Sequence, residues 1–368
     1  MTDRHDVIVI GGGQAGLAIG YLLAHRARQF TILEAADAPA AAWRTRWDSL
    51  KLFTSVRYDS LPGRTFPGDP GAYPGRDDVV AYLTEYARDF ELPVKLDSVV
   101  RAVRRGECGY LVELDDRTYE TDQVVVATGP FQVPRVPAVA ERLAPDVVQF
   151  HSSAYRTPGE VPAGPVLIVG GGNTGFQIAE ELSRTHEVHL SIGSRQTPLP
   201  QRIAGRDLFR YLEATGLMAK TANSRIGQRL QDRDTLIGSS PRAARRRHGI
   251  HLHGRTVEVS GAEVRFSDGA RLHPSTVVWA TGFGLDHSWI DAPVFEADGR
   301  LVHERGVTAS PGLYFLGLPW QHTRGSALLG WVKDDAEYLA RRISAATPAQ
   351  RARAASSAQA LLAGRPQP

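Results

Sequence analysis

Two glycine-rich turns carry the first chemical information in this chain. One reads Gly11-Gly12-Gly13-Gln14-Ala15-Gly16, the other Gly170-Gly171-Gly172-Asn173-Thr174-Gly175. In a GxGxxG turn the first glycine (Gly11, Gly170) permits the tight bend. The second (Gly13, Gly172) lets a pyrophosphate approach the backbone, and the third (Gly16, Gly175) lets a helix pack close to a strand. Free N–H groups at the helix start then face the anion, aided by the helix dipole. The two turns differ in the residues downstream of them. Glu34 lies 23 residues beyond Gly11, where a carboxylate accepts both ribose hydroxyls. The same count from Gly170 reaches Gly193, then Ser194 and Arg195, with no acid. A hydroxyl donor and a guanidinium suit a 2′-phosphate that a carboxylate would repel. The first turn therefore reads as an FAD site and the second as an NADPH site. Two dinucleotides in one chain imply hydride passage from nicotinamide to flavin.

The elements that must hold these turns are visible around them. Asp6–Ile10 reads as a buried strand, Leu17–Arg28 has helical spacing, and Phe30–Leu33 is a second strand. Val166–Val169, Phe176–Arg184 and Val188–Ile192 repeat that order. Such a spacing is too long for a solenoid and fits two related domains. A second echo pairs Val124–Pro130, containing Thr128-Gly129, with Val277–Phe283, containing Thr281-Gly282. The expected fold is α/β, with two Rossmann-like dinucleotide-binding domains and the NADPH domain inserted in the FAD domain. Residues 1–156 and 285–346 form the expected FAD domain, 157–284 the NADPH domain, and 347–368 a tail. Gln196–Arg255 interrupts the second domain. Within it, Asp207–Met218 has mixed amphipathicity and suits a lid, a substrate channel, or simple packing on the second domain.

Composition narrows the class. The chain has 368 residues, 42% of them apolar, and a formal net charge of +3. Length and apolar content suit two domains, and so balanced a charge does not argue for nucleic acid or membrane. Cys108 is the single cysteine, so no dithiol relay exists within the chain. No apolar run reaches the roughly 20 residues of a membrane span. A soluble, cytoplasmic protein with a small-molecule substrate is expected. Arg245–Arg247 lacks interleaved aromatics and reads as a solvated face. His248, His251 and His253 could suggest a metal, but without a supporting carboxylate or cysteine framework they read as surface histidines, with no metal expected.

Taken together, these motifs resemble the single-component flavin-containing monooxygenases, the group that includes the plant YUCCA-type enzymes. The resemblance runs to about Arg342. It rests on both glycine turns, both Ala-Thr-Gly turns, Ala42-Trp43-Arg44, Leu61-Pro62-Gly63, Gly312–Gly317 and Asp335-Ala336. The family fingerprint FxGxxxHxxx(Y/F) is matched at His151 and Tyr155, while Pro145 and Val147 stand in place of its Phe and Gly. Tyr155-Arg156 replaces the Trp-Pro pattern of Baeyer–Villiger enzymes. The resemblance implies that NADPH reduces FAD, that oxygen adds at flavin C4a as a hydroperoxide, and that a soft sulfur or nitrogen nucleophile takes the distal oxygen. The altered fingerprint leaves a second course open, in which electrons pass to oxygen, a quinone or a partner protein. A degenerate binding module is disfavoured by the intact turns. No catalytic triad is expected.

The resemblance also assigns roles. Gln14 and Ala15 lie in the phosphate turn, Trp43 and Arg44 follow the FAD, and Thr54 with Ser55 lines the flavin ring. Thr128, Gly129, Thr281, Gly282 and Gly317 sit at strand ends that face cofactor, as does Gln321, next to Trp320. Asn173 reaches nicotinamide and flavin as the one catalytic candidate, or else serves turn chemistry alone. Thr174 completes the second turn. His151 takes a linker or domain-contact role.

Overall fold

The computed structural model describes residues 4–231 and 234–345; the tail expected from 347 lies outside the described residues. The first sheet begins with β1 (Arg4–Ile10), whose Val7–Ile10 stretch is fully or nearly buried. Helix α1 (Gln14–Ala24) follows the glycine turn and leads to β2 (Phe30–Leu33), which pairs parallel with β1 in the register Val7↔Phe30. The helix starts at Gln14 rather than Leu17. The apolar period begins at Leu17, but residues 14–16 are already its first turn, the turn whose N–H groups have no intrahelical acceptor. The short strand β3 (Val94–Lys95) extends the sheet beyond β2. Strands β4 (Ala102–Arg105), β5 (Tyr110–Glu113) and β6 (Thr118–Val126) form an antiparallel meander. The long β6 joins this meander to the parallel strands in one sheet, because residues 120–126 also run parallel to β1.

The second sheet starts with β7 (Val148–His151) and β8 (Val166–Val169), and the second glycine turn then opens α2 (Asn173–Leu182). That helix too starts three residues before its apolar period, and for the same reason. After β9 (Val188–Ser191) the chain enters the expected interruption, which contains β10 (Gln196–Leu199), α3 (Leu208–Ala214), β11 (Asp234–Ile237) and α4 (Pro241–His248). It ends earlier than Arg255. Strand β12 (His251–His253) is the edge of the second sheet, and β13 (Thr276–Trp279) lies inside it, giving the all-parallel order β12-β9-β8-β13-β7. β7 precedes Arg156 yet pairs here, so the passage between sheets falls before 148.

The chain then returns to the first sheet. Ile290–Asp291 pairs with β4, and β14 (Leu313–Phe315) pairs parallel with β6. Helix α5 (Val332–Ala345) packs on α1. Leu17, Ile19 and Leu23 of α1 and Leu339 and Ile343 of α5 are fully buried in one core, each worth about 1.5–3 kcal/mol of apolar transfer. A separate core lies under the second sheet, around Val166, Ile168, Phe176, Ile178 and Leu190. Among the described residues, no helix is long and apolar enough to cross a membrane.

Candidate dinucleotide sites

The two glycine turns are built alike, atom by atom. Gly11 and Gly170 have φ of +112° and +131°. A Cβ on either would stand 2.6 Å from the Ala127 carbonyl oxygen or 2.2 Å from that of Ala280. Those alanines open the two Ala-Thr-Gly turns, so each such turn closes over its glycine turn. A Cβ on Gly16 or Gly175 would lie 1.9 or 2.0 Å from the carbonyl oxygen of Gly11 or Gly170. Gly13 and Gly172 are the opposite case. Nothing lies within 4 Å of a Cβ on either, nor on Gly129 or Gly282. These four face open space at strand and helix ends, the place where a pyrophosphate approaches backbone N–H groups. The cradle therefore fits a dinucleotide at both turns.

The second-strand ends of the two sites differ in what they present. Glu34 accepts hydrogen bonds from the N–H of Gly12 at 2.6 Å and of Ala36 at 3.0 Å. Each oxygen retains a lone pair for a ribose hydroxyl. In the second site the side chain against the equivalent Gly171 is Gln196, whose Nε2 would stand 2.7 Å from a Cβ there and donates to Ser194 Oγ. A neutral amide thus takes the acid's place. Gly193, Ser194 and Arg195 lie at the surface of this corner, all three exposed. Arg255, just past β12, donates to the Gly193 carbonyl at 2.9 Å and adds a second guanidinium to this corner. Arg255 does not stand out in the sequence because sheet pairing of β12 with β9 rather than spacing brings it here, and Gln196, only two residues past Ser194, carries no charge to mark it.

Between the turns runs a hydrogen-bonded belt. Gln14 donates to the Ala327 carbonyl and accepts from the Trp43 indole N–H. Asn173, at the equivalent place in the second turn, donates to the Thr235 carbonyl at 3.3 Å and accepts from Ile237 N–H at 2.9 Å. Arg324 donates to Thr235 Oγ1, and burial holds its guanidinium below the usual arginine range. The Asn173 amide is thus engaged by β11, which favours the turn-holding role over direct reach to both rings. Gln321 is likewise turned inward. Its Oε1 accepts from Leu318 N–H and its amide nitrogen lies against Gly306. Arg44 pairs with exposed Asp37, and Gly317 (φ +86°) meets Ala15 closely.

Thr54 and Ser55 are buried. Thr54 donates to Asp59 Oδ1 at 2.6 Å. Asp59 is fully buried, and neither its Oδ2 nor Ser55 Oγ has a hydrogen-bond partner among the described residues. Burial pushes the Asp59 carboxyl up to about 7, against the lowering effect of the Thr54 hydrogen bond. Beside it, Phe53, Tyr58 and Trp331 pack on Phe209 of α3. The amphipathic segment therefore packs across to residues 53–58 and 331 rather than on the second sheet alone.

The linker joins both sites. His151 Nδ1 accepts from Ser153 N–H, so its Nε2 carries the proton donated to the Gly282 carbonyl at 3.0 Å. Desolvation lowers its pKa and keeps the ring neutral, in keeping with a contact role. Tyr155 donates to Glu181 of α2. Arg46 lies over Phe131 and Phe283, one beside each Ala-Thr-Gly turn. Its pKa is lowered to about 10 by burial and by neighbouring Arg156. Thr281 bonds the Arg135 carbonyl and Thr128 accepts from Gln132. Thr174 stands half-buried at the helix start.

Two dinucleotide folds with this turn chemistry define a flavoprotein oxidoreductase. The chain belongs to the pyridine nucleotide-disulphide oxidoreductase family, whose model matches residues 8–202, and within it to the flavin-containing monooxygenases. The family uses FAD and a nicotinamide dinucleotide. The chain is 43% identical to an uncharacterized oxidoreductase CzcO-like of Geobacillus kaustophilus over 91% of this chain and 97% of that protein. It is 26% identical to the probable indole-3-pyruvate monooxygenase YUCCA1 of Arabidopsis thaliana over 88% and 87%. The flavin-containing monooxygenase from Stenotrophomonas maltophilia superposes with a TM-score of 0.78 at 29% identity, over 94% of this chain and 99% of that one.

Proposed function

We propose that the protein is an NADPH-dependent monooxygenase that uses reduced FAD to activate oxygen and oxygenates a soft sulfur or nitrogen nucleophile. The observation that carries this reading is the pair of turns with open faces at Gly13 and Gly172, one flanked by Glu34 and the other by Ser194, Arg195 and Arg255. The first-sheet portion, 4–147 and 285–345, holds FAD, and the portion from 148 to 284, which starts with the strand that pairs in the second sheet, holds NADPH. Bound FAD supplies hydride acceptance and oxygen activation. The chain's own groups do the rest. N–H groups at the starts of α1 and α2 hold the pyrophosphates. Arg324, half-buried between the turns, places a cation where dinucleotide negative charge accumulates. Asp59, with its pKa near neutrality, holds a proton at a carboxyl bonded to Thr54. The aromatic wall of Phe53, Tyr58, Phe209 and Trp331 excludes water and suits an apolar sulfide or amine.

The test is anaerobic reduction with NADPH followed by mixing with oxygen while the flavin spectrum is recorded. A persistent oxygen-reacted spectrum, quenched by a sulfide or amine with product formed, is the expected result. Direct return to oxidised flavin with stoichiometric peroxide would favour the oxidase reading, to which Pro145 and Val147 in the fingerprint lend weight. Failure to bind flavin on reconstitution would overturn both.

A further inference from the structure

We infer that the second sheet carries a site for a zinc-class divalent ion at the amino end of β9, away from both glycine turns. The sequence places no carboxylate near His251 and His253, but the parallel pairing supplies one. His189 of β9 lies in register with His251 of β12, and Glu187 is two residues before His189 on the same face. Glu187 Oε1 stands 3.1 Å from His189 Nε2 and 3.9 Å from His251 Nε2, and one donor atom from each of the three residues lies within 4.8 Å of the others. Two imidazoles and a carboxylate are a zinc donor set that leaves a fourth position for water. Tetrahedral bonds of about 2.0–2.1 Å put ligand atoms roughly 3.4 Å apart, so two of the three pairs are already close. Exposed His251, whose ring stacks on that of His189 at 4.7 Å, need only rotate to close the third.

The surroundings are those of a built site. His189 is 8% exposed. Its Nδ1 lies 2.9 Å from His253 Nε2, leaving Nε2 as the metal-facing nitrogen. His253 stacks on Phe266 at 4.2 Å, and its Nδ1 is 3.9 Å from Asp268. This His–His–Asp chain is the outer support that orients ligating imidazoles. On binding, the ion takes the Nε2 lone pair of His189, whose one ring proton then sits on Nδ1 and is donated to His253 Nε2, while His253 carries its own proton on Nδ1 toward Asp268, so both imidazoles stay neutral and no proton is lost. The ion ties the edge strand β12 to β9, and β12 runs directly into Arg255 on Gly193. The site is therefore structural, a clamp on the strand pair that carries the second nucleotide corner.

The experiment uses the flavin-loaded protein, free of any histidine tag and stripped with chelator. It is titrated with ZnCl₂ by calorimetry and with CoCl₂ by absorbance to the red of the flavin bands. One equivalent of zinc per chain and a tetrahedral cobalt spectrum are expected. His251→Ala and Glu187→Gln, both at exposed positions, each weaken uptake at least tenfold, while His248→Ala on α4 leaves it unchanged. Absence of stoichiometric uptake, binding that survives both variants, or equal loss in His248→Ala would overturn the inference. Metal uptake is read without turnover, so its failure and failure of the monooxygenase reading are distinguishable.

Discussion

Replacing Asp59 by asparagine removes a buried charge while keeping an oxygen to accept the Thr54 hydroxyl. The carboxyl is fully buried, one oxygen has no partner among the described residues, and its pKa rises from the ordinary 3.8 to about 7 because burial disfavours the anion. A pKa raised on folding means that the folded protein holds a proton the unfolded chain has already lost. Stability conferred relative to the ionised group is thus greatest below about pH 4 and falls as pH rises through 7. With about 1.4 kcal/mol per unit, ionising Asp59 inside the fold costs at most about 4 kcal/mol, and relaxation or water entry lowers that figure. Urea unfolding at matched free FAD should therefore show Asp59→Asn and wild type equal near pH 4. At pH 8 the variant should be more stable by about 2–4 kcal/mol. A difference that stays flat across this range, or a wild type more stable at pH 8, would refute the reasoning.

Other outcomes follow from the turns. Gly13→Ala meets open space with φ −84°, so stability should change by about 1 kcal/mol or less while the flavin-to-protein absorbance ratio falls. Gly16→Ala, with its Cβ 1.9 Å from a backbone oxygen, should fail to hold the turn at all, read as loss of soluble flavoprotein. Arg195→Ala and Arg255→Ala should each raise KM for NADPH roughly tenfold or more, the value of a charge-assisted hydrogen bond, and leave KM for NADH within about twofold. Equal effects on both coenzymes would remove the phosphate assignment. Asn173→Ala strands the Ile237 N–H and should destabilise the protein by about 1–3 kcal/mol even without nucleotide, measured by denaturant midpoint.

How far the sequence is legible depends on whether the relevant contacts are local. The turns, their strands and Glu34 obey spacing rules because a βαβ unit closes within about 30 residues. The return of β14 to β6 is legible from the repeated Ala-Thr-Gly pattern. Arg255, Arg46, Arg324 and Asp59 escape a reading by spacing, and each acts through sheet pairing or burial by distant elements. Asp59 has no sequence signal at all: an acid in a loop is ordinarily solvated, and only the packing around it buries this one. The carboxylate nearest His251 escapes a reading by spacing too, since Glu187 sits 64 positions earlier, just before the neighbouring strand. The end of the interruption falls before Arg255 because a three-residue edge strand with alternate histidines carries no apolar run to mark it.

The duplicated turns also explain why the interruption lies where it does. Gln14 and Asn173 occupy the same place in their turns, and both have their amides engaged by backbone from elsewhere in the chain. Gln14 holds the return segment at Ala327, and Asn173 holds β11 inside the interruption. Arg324 and Ala327 sit in one short turn, and Arg324 reaches Thr235 of β11. The inserted strand and the returning segment thus meet between the two sites, so each nucleotide turn is braced by chain that the other domain's excursion delivers. A point substitution in this belt should therefore alter both sites together. A substitution at Glu34 or Arg195, outside it, should alter one.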